Sequence, residues 1–174
     1  MELTPAELTI LGLVIERPAH GYDLERVIEQ RGIRQWTEVG FSSIYYLLTK
    51  LEKRELVQAD RAGSGAKARR VFHATAMGQE AARRGAIAYV AEAHPVPHPF
   101  LVGLASLPLL TEREYAEALH TRLRQVEARI AVVRGAERAQ GPLPLVAREV
   151  FSYSLSLLEA ERSWLAGRVQ EPDD

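Results

Sequence analysis

The apolar positions between Gly40 and Val57 recur in steps of three and four. Ile44, Leu47, Leu48 and Leu51 fall at i, i+3, i+4 and i+7, the single stripe of a helix that buries one face. At 100° per residue the opposite face carries Ser42, Tyr46, Thr49 and Lys53, flanked by Tyr45 and Lys50, with Ser43 beside Ser42 at the start. That face holds hydroxyls, rings and ammonium groups and no carboxylate; Glu52 lies to one side. The pattern then changes period. Leu56 to Arg61 and Ala68 to Ala74 read as two short strands, and Gly63-Ser64-Gly65 between them supplies the permissive backbone of a hairpin tip.

The flanking pattern is helical. Thr4-Pro5-Ala6-Glu7 predicts a helix start with a capping box and a proline in the first turn. The helix runs through Leu8, Ile10, Leu11, Leu13, Val14 and Ile15, apolar on most sides, and ends at Arg17-Pro18. A second helix begins at His20-Gly21-Tyr22-Asp23, buries Leu24, Val27 and Ile28, and stops at Gly32. Trp36 to Val39 bridges to the third helix. Thr75 caps a fourth helix expected from about Ala76 to Glu92, weakened by Gly78 and Gly85. Three helices followed by a hairpin make a winged helix-turn-helix.

His94-Pro-Val-Pro-His-Pro99 cannot be helical, so it reads as a stiff extended linker. Beyond it, Phe100 to Leu110 predicts a short helix ended by Pro108. Thr111-Glu-Arg-Glu114 is a second capping box. The next helix carries Leu119, Leu123, Val126, Ile130 and Val133 in steps of 4, 3, 4 and 3, a coiled-coil-type seam, with Gly135 and Gly141-Pro142 as its end. A last helix, about Leu145 to Val169, has two apolar stripes. One is Leu143, Val146, Val150, Tyr153, Leu157 and Trp164; the other is Phe151, Leu155, Leu158, Leu165 and Val169. Two stripes exceed one helix contact, and a second copy of the chain is the economical extra partner. Leu119, Leu123, Val126, Ile130, Phe151, Leu155, Leu158 and Leu165 are therefore assigned to a homodimer. Tyr153 and Trp164 become candidates for a pocket that takes a flat aromatic effector. The organisation expected is mainly α with a small β-hairpin wing: 1–93 a winged helix-turn-helix domain with a connecting helix, 94–99 the linker, and 100–174 a helical dimerisation domain ending in a frayed tail from Gln170 to Asp174.

Composition narrows the function. The 174 residues are 47% hydrophobic and 26% charged, enough for a packed core. There is no cysteine, which excludes disulfides and thiolate chemistry. No apolar run reaches the length of a membrane span, and Glu2 and Glu7 stand where a signal peptide would be basic, so a soluble cytoplasmic protein without membrane contact is expected. Net charge is −1 but uneven: residues 1–85 hold 13 basic and 11 acidic side chains, and residues 86–174 hold 9 and 12.

Catalytic patterns are absent from the sequence. Gly63-Ser-Gly-Ala-Lys67 misses the spacing of a phosphate-cradling loop. Ser42 and Ser43 lack the glycine context of a nucleophile elbow. The five histidines have no paired helical spacing for zinc, and His94 and His98 read as linker residues. The chain is expected to be no enzyme and to need no cofactor or metal.

DNA binding fits better. From Arg61 to His73 there are four bases, Arg61, Lys67, Arg69 and Arg70, and no acid. A basic ribbon directly after a helix with a hydroxyl-rich open face suits phosphates and base edges of duplex DNA. The alternative is a winged-helix module that binds protein, which the near-neutral total charge favours; a basic ribbon also protects edge strands.

These residues resemble a known family. Glu16-Arg-Pro-Ala-His-Gly-Tyr-Asp-Leu24, Gly40-Phe-Ser-Ser-Ile-Tyr-Tyr-Leu-Leu-Thr-Lys-Leu-Glu52 and Leu56-Val57 together are similar to the PadR family of bacterial transcriptional regulators, over residues 5 to about 80. Two departures stand out: Tyr46 takes the place where many members have proline, and Met77-Gly78 is less polar than the usual start of the fourth helix. The C-terminal half resembles, more loosely, the helical dimerisation domain of longer members, the virulence-activator-like subgroup. The resemblance implies a homodimeric repressor of a pseudo-palindromic operator, released by a small and often aromatic molecule.

Overall fold

A computed structural model describes residues 2–37, 39–40, 43–62, 69–93, 95–139 and 142–170. The chain divides into two compact units, residues 1–95 and 96–174.

The first unit contains helices α1 (Pro5–Glu16), α2 (Gly21–Gln30), α3 (Ser43–Lys53) and α4 (Ala76–Ala91) and strands β1 (Val57–Ala62) and β2 (Arg69–Ala74). The capping box at the start of α1 forms as the sequence predicts: the Glu7 amide donates to Thr4 Oγ1 at 3.2 Å, and the Thr4 amide donates to Glu7 Oε2 at 2.8 Å. α1 packs against α3, α4 and β2 as well as α2, which explains why apolar residues occupy most of its circumference. Ile10, Leu11 and Val14 from α1, Leu24 and Ile28 from α2, and Ile44, Leu48 and Leu51 from α3 form the centre of one core. Gly32 ends α2 in the left-handed region, φ 62°, the conformation that favours glycine.

The strands pair antiparallel, with Val57 opposite Ala74 and Arg61 opposite Arg70. Ala19 adds a bridge to Phe72, with amide–carbonyl bonds of 3.0 and 3.2 Å, so the chain between α1 and α2 lies along the outer side of β2. The expected hairpin tip, Gly63-Ser64-Gly65, and Lys67 lie outside the described residues, as does His94. Thr75 caps α4 by accepting from the Gly78 amide at 2.9 Å. Gly78 is a packing requirement as well as a weak helix former: a Cβ there would sit 2.0 Å from the Leu56 carbonyl oxygen.

The second unit contains α5 (Pro99–Ala105), α6 (Glu112–Ala139) and α7 (Leu145–Gln170). The segment expected as one helix ending at Pro108 is two pieces, α5 and a 3₁₀ turn over Leu107–Leu109. Pro108 has no N–H to donate to the carbonyl of Leu104 and its ring would clash with that carbonyl in a continuous helix, so α5 stops early and Pro108 enters the separate turn. The second capping box forms, with the Thr111 amide donating to Glu114 Oε2 at 2.8 Å. Gly135 does not end α6, which continues to Ala139; an isolated glycine costs a helix only about 1 kcal/mol. Gly141 lies outside the described residues.

α6 and α7 pack along their length. Leu119, Val126, Ile130 and Leu165 are buried, with Leu123, Leu155, Leu158 and Val169 packed around them. These leucines, the valine and the isoleucine, which the sequence assigns to a homodimer, pack against one another within one chain. A short connection brings consecutive helices together as an antiparallel pair, so the seam closes locally first. Phe151 is half-buried. The other stripe of α7 stays open, with Val146, Val150, Tyr153 and Leu157 exposed.

Candidate nucleic-acid interface

α3 is amphipathic in the sense its sequence predicts. Ile44, Leu47, Leu48 and Leu51 are buried, while Tyr45, Tyr46, Thr49 and Lys53 are exposed. Thr49 is held by its own helix, donating from Oγ1 to the Tyr45 carbonyl at 2.9 Å. Ser43 is half-buried and donates from Oγ to the Gly40 carbonyl at 2.6 Å, so this hydroxyl serves the helix start. Ser42 lies outside the described residues. The open face therefore presents two phenols, a hydroxyl and an ammonium group.

Tyr45 has a seat. The space a Cβ of Gly21 would fill is taken by its ring: the added carbon would lie 2.6 Å from Cε1 and 2.9 Å from Cζ. Only glycine at the first position of α2 lets the ring lie there, with the rest of Tyr45 remaining 60% exposed. Tyr22, next along α2, is also exposed, as is Trp36. Neither ring stood out in the sequence as a surface candidate; the His20-Gly21-Tyr22 triplet was the available signal.

Lys50 sits at the edge of the face. Its Nζ is 3.1 Å from Oε1 of Glu7, a carboxylate that is only 1% exposed. Arg54 Nη1 reaches the same oxygen at 2.8 Å. A buried charge draws its partners inward, so Lys50 turns toward α1. Burial works to raise the Glu7 carboxyl, but the Thr4 amide, Lys50 and Arg54 together outweigh it and hold it below the usual carboxylate range. α3 is thereby fastened to α1 at its C-terminal end.

The wing brings its own charges. Lys67 lies outside the described residues, and of Arg61 and Arg69 only the backbone is described, paired in the ladder. Arg70 is exposed. Its Nη2 pairs with Glu52 of α3, and its guanidinium lies 5.0 Å from the centre of the Phe72 ring. His20 Nδ1 donates to the Arg70 carbonyl at 2.9 Å. On the neighbouring strand Asp60 Oδ2 is 3.1 Å from His73 Nε2. α2, α3 and β2 thus meet around Arg70.

Residues 10–84, most of this unit, match the family described as the transcriptional regulator PadR-like family. No protein of curated function matches the chain in sequence. Among solved structures, Bacillus subtilis PadR in complex with operator DNA is similar over 94% of this chain and 95% of its own, with 18% identity and a TM-score of 0.75. The same protein in complex with p-coumaric acid gives 0.76 at the same identity and coverage. The Vibrio cholerae virulence activator AphA gives 0.70 at 19% identity, again over 94% and 95% of the two chains. At these identities the likeness is one of fold. In this chain the triplet His20-Gly21-Tyr22 and the run Ser43-Ile44-Tyr45 meet in space, through the Tyr45 ring on Gly21.

The effector candidates are not brought together within one chain. Tyr153 and Trp164 are both on α7 but eleven residues apart, about 16 Å at 1.5 Å per residue. Trp164 packs edge-on against Phe100 of α5, centroids 5.7 Å apart, and Arg122 lies 4.0 Å from the centre of the Phe100 ring while pairing with Glu161 at 2.5 Å. Among the described residues there is no cluster of three or more potential metal ligands, and no helix long and apolar enough to cross a membrane.

Proposed function

We propose that this chain is a sequence-specific DNA-binding transcriptional regulator, a cytoplasmic homodimer acting on a pseudo-palindromic operator as a ligand-released repressor. The observation that carries it is α3: one face is buried in the core, and the other offers Tyr45, Tyr46, Thr49 and Lys53 beside a basic wing. Phenol, hydroxyl and ammonium groups suit base edges and phosphates. Ser42, Ser43 and Lys50 add contacts at the helix start and edge, and Arg61, Lys67, Arg69 and Arg70 supply phosphate affinity from the wing. The second unit is the dimerisation domain, through the open stripe of α7.

Two half-sites one helical turn apart, about 34 Å, require the two winged units at matching separation. A ligand releases DNA only by binding a different dimer geometry more tightly. B. subtilis PadR in complex with p-coumaric acid supports a small aromatic molecule as the class of effector. The near-neutral net charge of −1 favours a second reading, a winged-helix module that binds protein. Selection of bound fragments from genomic DNA, followed by gel shifts at the selected promoter, tests the first. A specific shifted band that a planar phenolic acid abolishes supports it. No selected sequence in any salt condition overturns it.

A further inference from the structure

We propose that Glu52 is an affinity-setting residue: an internal counterion that occupies Arg70 in place of a DNA phosphate and keeps the wing's grip on DNA weak and reversible. The inference rests on the DNA-binding reading and adds a residue that acts against binding.

Glu52 is the one carboxylate within α3 on its wing-facing side, and its partner belongs to the wing rather than to α3. The pair joins residues eighteen apart in sequence. Both side chains keep solvent contact, 46% for Arg70 and 32% for Glu52, so no buried charge has to be uncovered when the pair opens. A partly exposed ion pair is worth about 1 kcal/mol or less. A phosphate can therefore take its place, and the cost of doing so is deducted from every DNA complex, whatever its sequence.

The rest of Arg70 is fixed independently. Its backbone carries the ladder bond to Arg61 and accepts from His20, and the Phe72 ring supports its guanidinium. Losing the Glu52 charge thus frees the guanidinium without dismantling the wing. Glu52→Gln keeps shape and one oxygen acceptor while removing the charge.

The experiment is a salt titration of binding to a fixed duplex by wild type, Glu52→Gln, Arg70→Ala and the double variant. Each phosphate contact adds about 0.9 to the slope of log affinity against log salt. Glu52→Gln is expected to bind random and operator duplexes more tightly, with a slope steeper by roughly one unit. In the Arg70→Ala background the same change should gain less than half of that steepening. An equal gain in both backgrounds would mean that Glu52 acts only through the general field, and the proposal fails. An unchanged slope in Glu52→Gln also overturns it. If wild type binds no duplex at low salt, the DNA-binding reading falls and this inference falls with it; binding by wild type with either failed outcome above leaves that reading intact.

Discussion

Glu7 does two jobs with two oxygens. Oε2 accepts from the Thr4 amide at the start of α1, and Oε1 takes Arg54 and Lys50 from the end of α3. Glu7→Gln would leave Arg54, whose side chain is only 14% exposed, beside a neutral group. Breaking such a pair from one side should cost roughly 3 kcal/mol, measured by urea unfolding at neutral pH. The fold lowers the Glu7 carboxyl, so its contribution is complete above the ordinary glutamate range and is lost as pH falls below that range, through the lowered value of the folded state. Wild type and Glu7→Gln should therefore converge in stability only at pH below the ordinary glutamate range; parallel curves down to that acidity would count against the assignment. Gly21 makes the second residue-scale prediction. Gly21→Ala must displace the Tyr45 ring, and moving a side chain off its rotamer costs about 0.5–1.5 kcal/mol. Operator affinity should fall by up to roughly tenfold, and the loss should vanish in a Tyr45→Ala background. The capping role of Glu7 was legible from Thr4-x-x-Glu7 alone. Its reach to Lys50 and Arg54 was not, because it depends on where α1 crosses α3. The seat of Tyr45 on Gly21 was hidden for the same reason.

At the scale of elements, α3 was the most legible part of the chain. Its apolar residues fall on one stripe, so period alone decided which side turns inward. Leu48→Ala should cost about 2–5 kcal/mol of stability, whereas Tyr46→Ala should leave melting almost unchanged and weaken operator binding. Calorimetry beside fluorescence-anisotropy titration separates the two; a Tyr46→Ala protein that melts early and binds normally would reverse the faces. α7 was less legible. Its two stripes are about equally apolar, and nothing in the pattern says which meets α6. The structure packs the stripe with Leu155, Leu158 and Leu165 against α6. The early stop of α5 and the passage of α6 through Gly135 show the same limit: proline acts on local backbone, whereas a single glycine yields to the packing of a long helix.

At the scale of the whole molecule, Val146, Val150, Tyr153 and Leu157 form an uncovered apolar stripe four turns long at most, on the surface of the α6–α7 helix pair. Such a patch on a soluble protein marks an interaction site. On the homodimer reading, Leu157→Glu combined with Tyr153→Glu should give monomers in sedimentation while leaving the helix content unchanged. Operator affinity should fall steeply, because the second half-site is no longer linked to the first. A double variant that still sediments as a dimer would move the interface elsewhere. The exposed stripe also makes protein abundance an input to regulation. Below the dissociation constant of the pair, dimer concentration follows the square of the total, so halving expression leaves roughly a quarter of the operator-competent species. On that reading, two cells that differ twofold in their concentration of this protein would differ about fourfold in operator-competent dimer, with no effector present.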